Sequence, residues 1–532
     1  MAVLGKKYLA AGALLLAASV AGAQAAPAKP ACDVGETAKG NAARATLMVN
    51  LAREAATPAV AMTNLKAAVK LTDHLEKGDD PVVNAYVLGS ALSLWGNQPG
   101  IGLSPKRGDV GFTVSPEATL DLPGTLDSLF KIVEAARPVC ADYTAYWRAG
   151  QKFYLDVVNG AISALNADKL DSAEYFAMQA NKLYSPSPYG SMVIGTVAQK
   201  RGDNAKAIEY WGKAAEAAAK DTSYRDVRRQ MLANIGGVYL NTANTASGAA
   251  KMDAAKKAAE SYAALLEVPG TKGQYSFIGR QQMQAAYLLA GDTAAVIKTF
   301  APLLANPSGY EYQDLLNSAV NASRLNRPEE AAKLFEATLV ANPYNRDALF
   351  NVAVTYLTME QNEKVGPIVT RLITVDPSNP ENYNLAARAY LSLGKSAEKA
   401  KKSPMAAAYN DSTVNWYNLG NKLNAEVNFR EFSPSEKGVV IAGTVLDRRD
   451  KIEAETPPQS AKAVKGKPAP KPAAKTFPPK PFTLIFSALD KAGAVVGTES
   501  VTTESLTPGK SARFTVNISG ANIVAYKYRV SE

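Results

Sequence analysis

The feature that most constrains this chain is a recurrence at a spacing of 34 residues between positions 315 and 390. Leu315, Leu349 and Tyr383 are in step, as are Ala319, Ala353 and Ala387, and then Ala322, Tyr356 and Tyr390. Pro343 and Pro377 close the first two units at the same interval. A fixed period of this length marks stacked helical hairpins. In each unit the large residue, the alanine four later and the residue three beyond it share one face of a first helix. The small residue lets the second helix approach, and an aromatic fills the space beside it. Asn326, Arg327, Pro328, Glu329 and Glu330 supply a turn and an acidic helix start that suits the helix dipole. Ala331, Phe335 and Thr338 then line the second helix, and Pro343 stops it because its ring cannot continue the hydrogen-bond ladder. One hairpin cannot bury both of its faces, so stacking makes the core continuous.

The units at 315–343 and 349–377 resemble tetratricopeptide repeats, whose pattern is W-x2-L-G-x2-Y, then A-x3-F, then a closing P. A third unit starts at Tyr383, where Pro404 is expected to disturb the second helix. The resemblance implies an α-α superhelix, a solenoid of hairpins whose first helices line a partner-binding groove. Carried over by register, the groove positions are Gln313, Leu316, Val320 and Arg324 in the first unit. In the second they are Asp347, Phe350, Val354 and Leu357, and in the third Glu381, Asn384 and Arg388. Some members of the family clamp a partner's terminal carboxylate with Lys, Asn and Arg at such positions. Here Leu316, Val320 and Val354 stand in place of polar residues, so an apolar helix or an extended peptide fits better.

Helical periodicity extends upstream. Positions 38–53, 62–76 and 80–95 read as helices, and residues 96–123 are a Gly- and Pro-rich insertion with a short extended piece at 110–114. Helices resume at 126–137, 147–165, 171–183, 191–200, 205–219, 227–240, 253–266, 277–290 and 293–304, with a small-residue loop expected at 241–248. About nine hairpins result, the clearest at 312–411.

At Asn424 the period changes to two. Segments 427–432, 439–447, 482–490, 494–502, 511–518 and 523–530 alternate apolar and polar residues between Gly and Pro turns. Six short strands after a helical array indicate a small antiparallel β-sandwich over 424–532. Phe486, Leu489-Asp490, Val495-Val496-Gly497 and the Leu506-x-Pro508-Gly509 turn before Phe514 resemble the FxLyD type of extracellular Ig-like domain, with one extra residue in the Phe486–Asp490 stretch. A Lys-, Pro- and Ala-rich segment at 455–481 interrupts the domain; it is either a solvated loop or a contact to an anionic envelope surface.

Residues 1–25 carry Lys6 and Lys7, an apolar run at 9–21 and a small-residue site at Ala23-Gln24-Ala25, which reads as a cleaved secretory signal peptide. The solenoid would then occupy 26–423. Removing the two lysines lowers the net charge from +10 to +8, with 57 basic residues against 49 acidic, too modest a surplus to suggest nucleic acid. Two cysteines, Cys32 and Cys140, suggest one disulfide in an oxidising compartment; the alternative is two separate buried thiols. His74 is the single histidine, on an amphipathic helix beside Leu71 and Leu75, which restricts any Ser-His-Asp or Cys-His arrangement to that residue. The sequence has no zinc spacing, phosphate loop or dinucleotide fingerprint, and no cofactor is expected. The expectation is a non-enzymatic, exported, periplasmic scaffold or adaptor with a protein or peptide partner. The alternatives are an accessory enzyme acting on carbohydrate or peptidoglycan through acids near 96–123, and an export or adhesion factor using the sandwich.

Overall fold

The computed structural model describes residues 32–454 and 477–531. The signal-peptide segment and most of the Lys-rich interruption lie outside the described residues. The described residues fall into two compact units, one up to Thr271 and one from Lys272 onward.

The first unit is built of paired helices. These are α1 (Gly40–Arg53), α2 (Pro58–Thr72), α3 (Pro81–Gly96), the single turn α4 (Arg107–Val110), α5 (Leu122–Ala136) and α6 (Ala141–Ala149). Then come α7 (Lys152–Asn166), α8 (Leu170–Leu183), α9 (Tyr189–Lys200), α10 (Asn204–Ala219), α11 (Arg225–Thr245) and α12 (Gly248–Leu266). Close approach inside the hairpins depends on small residues. A Cβ at Gly236 would fall 2.8 Å from the Tyr262 ring, so only glycine lets α11 and α12 meet there. Cys32 and Cys140 are bonded, which ties the N-terminal arm to the start of α6. Arg137 reinforces the arm by pairing with Asp33 at 2.7 Å and Asp80 at 3.3 Å.

Three local expectations are corrected in this unit. Residues 110–114 are not extended: α4 ends at Gly111 in left-handed backbone (φ 116), and Phe112 turns inward under the Arg107 guanidinium. The expected helix at 147–165 is two helices, because the chain leaves helical geometry at Gly150 and is extended at Gln151. The expected loop at 241–248 is mostly helix: Thr242 and Thr245 hydroxyls donate to carbonyls four residues back, and Ala243 is buried.

The second unit begins with α13 (Gly273–Ala290), α14 (Thr293–Lys298) and α15 (Phe300–Ala305). One helix was expected over 293–304; Pro302 lacks the N–H that would reach Lys298, and the helix divides at Thr299. The 34-residue repeat follows as α16 (Tyr312–Arg324) with α17 (Pro328–Ala341), α18 (Arg346–Thr358) with α19 (Val365–Val375), and α20 (Pro380–Lys399) with α21 (Ser403–Asn421). Leu315, Leu349 and Tyr383 are all buried, as are Ala319, Ala353 and Ala387. Phe335 is fully enclosed on α17; burying such a side chain contributes about 1.5–3 kcal/mol. Pro404 does not disturb the third hairpin. It sits in the first turn of α21, where no backbone N–H is needed, and the last pair grows to 20 and 19 residues.

The sandwich comprises β1 (Ala425–Ser435), β2 (Gly438–Asp447), β3 (Thr483–Leu489), β4 (Val495–Thr502), β5 (Ser511–Ser519) and β6 (Ala525–Ser531), with the short helix α22 (Arg449–Ala454) after β2. Two antiparallel three-stranded sheets have the orders β1-β2-β5 and β4-β3-β6. Strict alternation puts Ala512, Phe514, Val516 and Ile518 of β5 inward. Opposite Ala488 and Leu489 the register skips Val496, so the extra residue is a bulge in β4.

Candidate functional site

The helices α16, α18 and α20 lie side by side, so positions 313, 347 and 381 form one row, 316, 350 and 384 a second, and 320, 354 and 388 a third. Gln313, Leu316 and Val320 are half-buried, and Leu316 and Val320 pack on the hairpin core. Arg324 is exposed. Phe350 and Leu357 are also half-buried against that core, while Asp347 and Val354 are exposed. On α20, Arg388 reaches Glu381 at 3.9 Å, and Asn384 donates to the same carboxylate at 3.3 Å. The second and third rows are therefore apolar at the first two helices and polar but internally paired at the third.

The sandwich meets the hairpins at the loops that close each repeat. Asn342 and Asp376 are 34 residues apart, as are Tyr344 and Ser378, and all four touch the sandwich. Asn342 donates to the Val524 carbonyl at 2.9 Å. Tyr528 donates its hydroxyl to Asp376 Oδ1 at 2.7 Å, and the Ser378 N–H donates to that hydroxyl at 3.2 Å. The Val427 N–H of β1 donates to the Ser378 carbonyl at 2.9 Å. A Cβ on Gly493, whose φ is +83, would come 2.2 Å from the Tyr344 ring. The same loops start the next helices through in-phase caps, Asn345 to the Ala348 N–H at 2.9 Å and Asn379 to the Glu381 N–H at 3.1 Å. Each closing loop thus does two jobs with adjacent residues.

Beside these contacts a cleft runs between the start of α18 and β1. It consists of two adjoining hollows of about 310 and 210 Å³ that share Arg346, Asp347 and Phe429. Phe350 lines the smaller hollow; Phe432 and Tyr526 line the larger. Arg346 Nε and Nη2 donate to Asp347 Oδ1 at 3.0 and 2.5 Å, and its guanidinium lies 5.0 Å over the Phe429 ring. Burial works against its charge, but the Tyr526 hydroxyl, Asp347 and Asp376 outweigh that and hold the group protonated. Burial pushes the Tyr528 phenol well above its ordinary range, and Asp376 adds to the shift, so its hydroxyl remains a donor.

Of the residues expected to bind a partner, Asp347 and Phe350 line this cleft and the other nine do not. Sequence reasoning missed Arg346, Asp376, Phe429 and Tyr528. The 34-residue phase of Asn342 with Asp376, each just before a closing proline, was available as a signal. Two of the three acids of the 96–123 insertion have partners: Glu117 pairs with Lys106 at 2.8 Å, and Asp121 caps α5 and pairs with Lys182 at 3.0 Å. Among the described residues no group of three or more His, Cys, Asp or Glu side chains could hold a metal ion, and no helix is long and apolar enough to cross a membrane.

No protein-family profile matches the chain, and no curated protein matches it. Among solved structures, PilF of Pseudomonas aeruginosa is 12% identical, with a TM-score of 0.20 over 50% of this chain and 91% of that one. The apo form of RapI is 9% identical, with a TM-score of 0.27 over 71% and 96%. MamA is 14% identical, with a TM-score of 0.20 over 44% and 90%. Likeness at this level says nothing about what the chain binds.

Proposed function

We propose that this protein is an exported, non-enzymatic scaffold of the cell envelope, of tetratricopeptide type, that holds a protein or peptide partner along α16, α18 and α20. The observation that carries this reading is the in-phase row across these three helices, where Phe350, Val354 and Arg388 recur at repeat positions while Leu349, Ala353 and Ala387 supply the core. Aromatic and guanidinium side chains presented together are typical anchors of a protein interface. Residues 1–25 support export, and a periplasmic address follows from the signal-peptide reading and the cysteine pair. The sandwich, held by the loops of the same repeats, would keep a fixed position beside the bound partner.

The test is site-specific photo-crosslinking in the producing cell. A benzoylphenylalanine placed at Val354, on α18 and 36% exposed, should yield a discrete crosslinked protein. The same group at Val340, on α17 and 84% exposed, should not. Equal products from both positions, or none from Val354, would count against the reading.

A further inference from the structure

The last hairpin overruns the repeat. In the 34-residue phase α20 begins at Pro380, where α18 begins at Arg346, but α18 ends at Thr358 while α20 runs on past the matching Ser392 to Lys399. The extra turns carry it about 10 Å further at the helical rise. Its partner α21 starts at Ser403, so residues 393–410 form a two-helix tip at the far end of α20 from the sandwich, whose Ser378–Val427 contact lies before the first turn. Only small residues fill the tip: Gly394, Ala397 and Ala406 are buried, and a Cβ on Gly394 would fall 2.6 Å from the Asn410 side chain. Its outside is basic. Lys395, Lys399, Lys401 and Lys402 are all exposed, and among the described residues none of them makes an ion pair. The one acid of the tip, Glu398, accepts from Asn410 at 3.2 Å. On other helices lysines meet an acid one turn away, Lys131 with Asp127, Lys152 with Asp156, Lys213 with Glu209 and Lys257 with Asp253. Local structure does not ask for the tip lysines. Lys395 and Lys399 are like charges one turn apart, which weakens a helix. The dipole of α20 accounts for Lys399, but Lys402 stands at the N-cap of α21, the positive end, and gives no side-chain cap. Lys401 takes left-handed backbone (φ 56), a position that glycine or asparagine fills at less cost. Beside them Pro404, Met405, Ala407 and Ala408 are exposed and uncharged.

We propose that this tip rests on the surface of an anionic phospholipid bilayer, with the four ammonium groups among the headgroup phosphates and Met405 entering the interface. A cluster of about four lysines on a helical element is what holds a segment to an anionic leaflet. Lysine acts there as a mobile point charge and needs no fixed partner geometry. A small protruding tip meets a plane without a matching hollow, which favours a bilayer over an acidic protein surface. The proposal goes beyond the scaffold reading and stands without it, since it invokes neither the helix row nor a protein partner.

The experiment is co-sedimentation of the whole mature chain with vesicles of phosphatidylcholine alone and of equal parts phosphatidylcholine and phosphatidylglycerol. The expected result is binding to the mixed vesicles only, weakening as salt rises. Lys395→Gln, Lys399→Gln, Lys401→Gln and Lys402→Gln together should lower the affinity about tenfold or more, and arginine at the same four positions should keep it. All four side chains are exposed and unpaired, so the fold should hold, and a melting curve checks it. As a control for total charge, Lys152, Lys200, Lys220 and Lys256, exposed on helices of the first unit, are changed to Gln together and should leave binding in place. In Met405→Trp the added emission should shift to the blue with mixed vesicles and not with phosphatidylcholine. No binding to mixed vesicles would overturn the proposal and leave an acidic protein as what the lysines meet. It is also overturned if phosphatidylcholine alone binds as well, if the tip variant binds like the parent, if the control variant loses as much, or if the Met405→Trp emission stays put. Loss on changing the lysines of 455–481 with none on changing the tip would move the contact to that segment and remove it from the hairpin.

Discussion

Tyr528 donates its hydroxyl to Asp376 Oδ1 at 2.7 Å, with the two side chains 4% and 2% exposed and 152 positions apart in the chain. One is in the last strand of the sandwich, the other in the loop that closes the second repeat. A charge-assisted hydrogen bond in such a place fixes the sandwich on the hairpins, because neither group can turn to water if the other leaves. Tyr528→Phe should therefore destabilise the second unit by about 1.5–3 kcal/mol. Asp376→Asn should cost less, since an amide oxygen still accepts the bond. Urea unfolding of the two variants and the double variant measures the coupling; additive effects would show that the bond does not join the two parts.

One carboxylate anchors the middle of the 96–123 insertion. Asp73, with 1% of its side chain exposed, accepts from the Thr113 N–H at 2.6 Å, the Thr113 hydroxyl at 2.7 Å and the Val114 N–H at 3.1 Å, and Arg107 lies 3.6 Å away. Burial alone would raise its pKa, but the Thr113 and Val114 hydrogen bonds and Arg107 outweigh it and hold the group below 3.8. A depressed folded pKa means the stabilisation is complete above the unfolded value and fades as the pH falls through the folded one. The amide protection of residues 107–120, with the pH dependence of intrinsic exchange divided out, should be high at neutral pH and fall below about pH 3.8. In Asp73→Asn the protection should be low across the whole range.

Cys32 and Cys140 close a loop of 108 residues. Reduction should lower the stability of the first unit by up to about 4–5 kcal/mol in the chain-entropy account. The Arg137 pairs with Asp33 and Asp80 remain and keep part of the contact. Melting with and without reductant should shift the transition of the first unit and leave that of the second in place. A shift confined to the second would contradict the pairing.

Gly493 faces the Tyr344 ring in left-handed backbone, so Gly493→Ala meets both a steric and a conformational cost. The expected loss is about 1–3 kcal/mol. Trimming the ring with Tyr344→Leu should recover the steric share only; full recovery would show that the backbone carries no strain there.

The repeat and the strands were legible because their periods are regular and sustained over whole elements. Leu315, Leu349 and Tyr383 are buried as their spacing requires, and the six strands fall within three residues of their expected ends. Breaks set by one residue were harder to read. Pro302 divides a helix, whereas Pro404 starts one, and only the position of each within a turn decides. The cleft was not legible, because Arg346 and Phe429 are brought together by the docking of sandwich on hairpin, and no local pattern encodes that pairing. Phe350 was expected to face a partner; it lies half-buried, packed on the hairpin core and lining the cleft at once.

That double position makes Phe350 with Arg388 the sharpest test of partner binding along the helix row. Arg388 is 64% exposed, so its removal should not touch folding. Phe350→Ala should cost less than the 3–5 kcal/mol or so typical of a fully buried ring. The measurement is capture of envelope proteins by the Phe350→Ala, Arg388→Ala double variant, read beside its melting curve. The account predicts a folded protein that has lost most of its partner. A folded double variant that captures the same proteins at the same yield would contradict it.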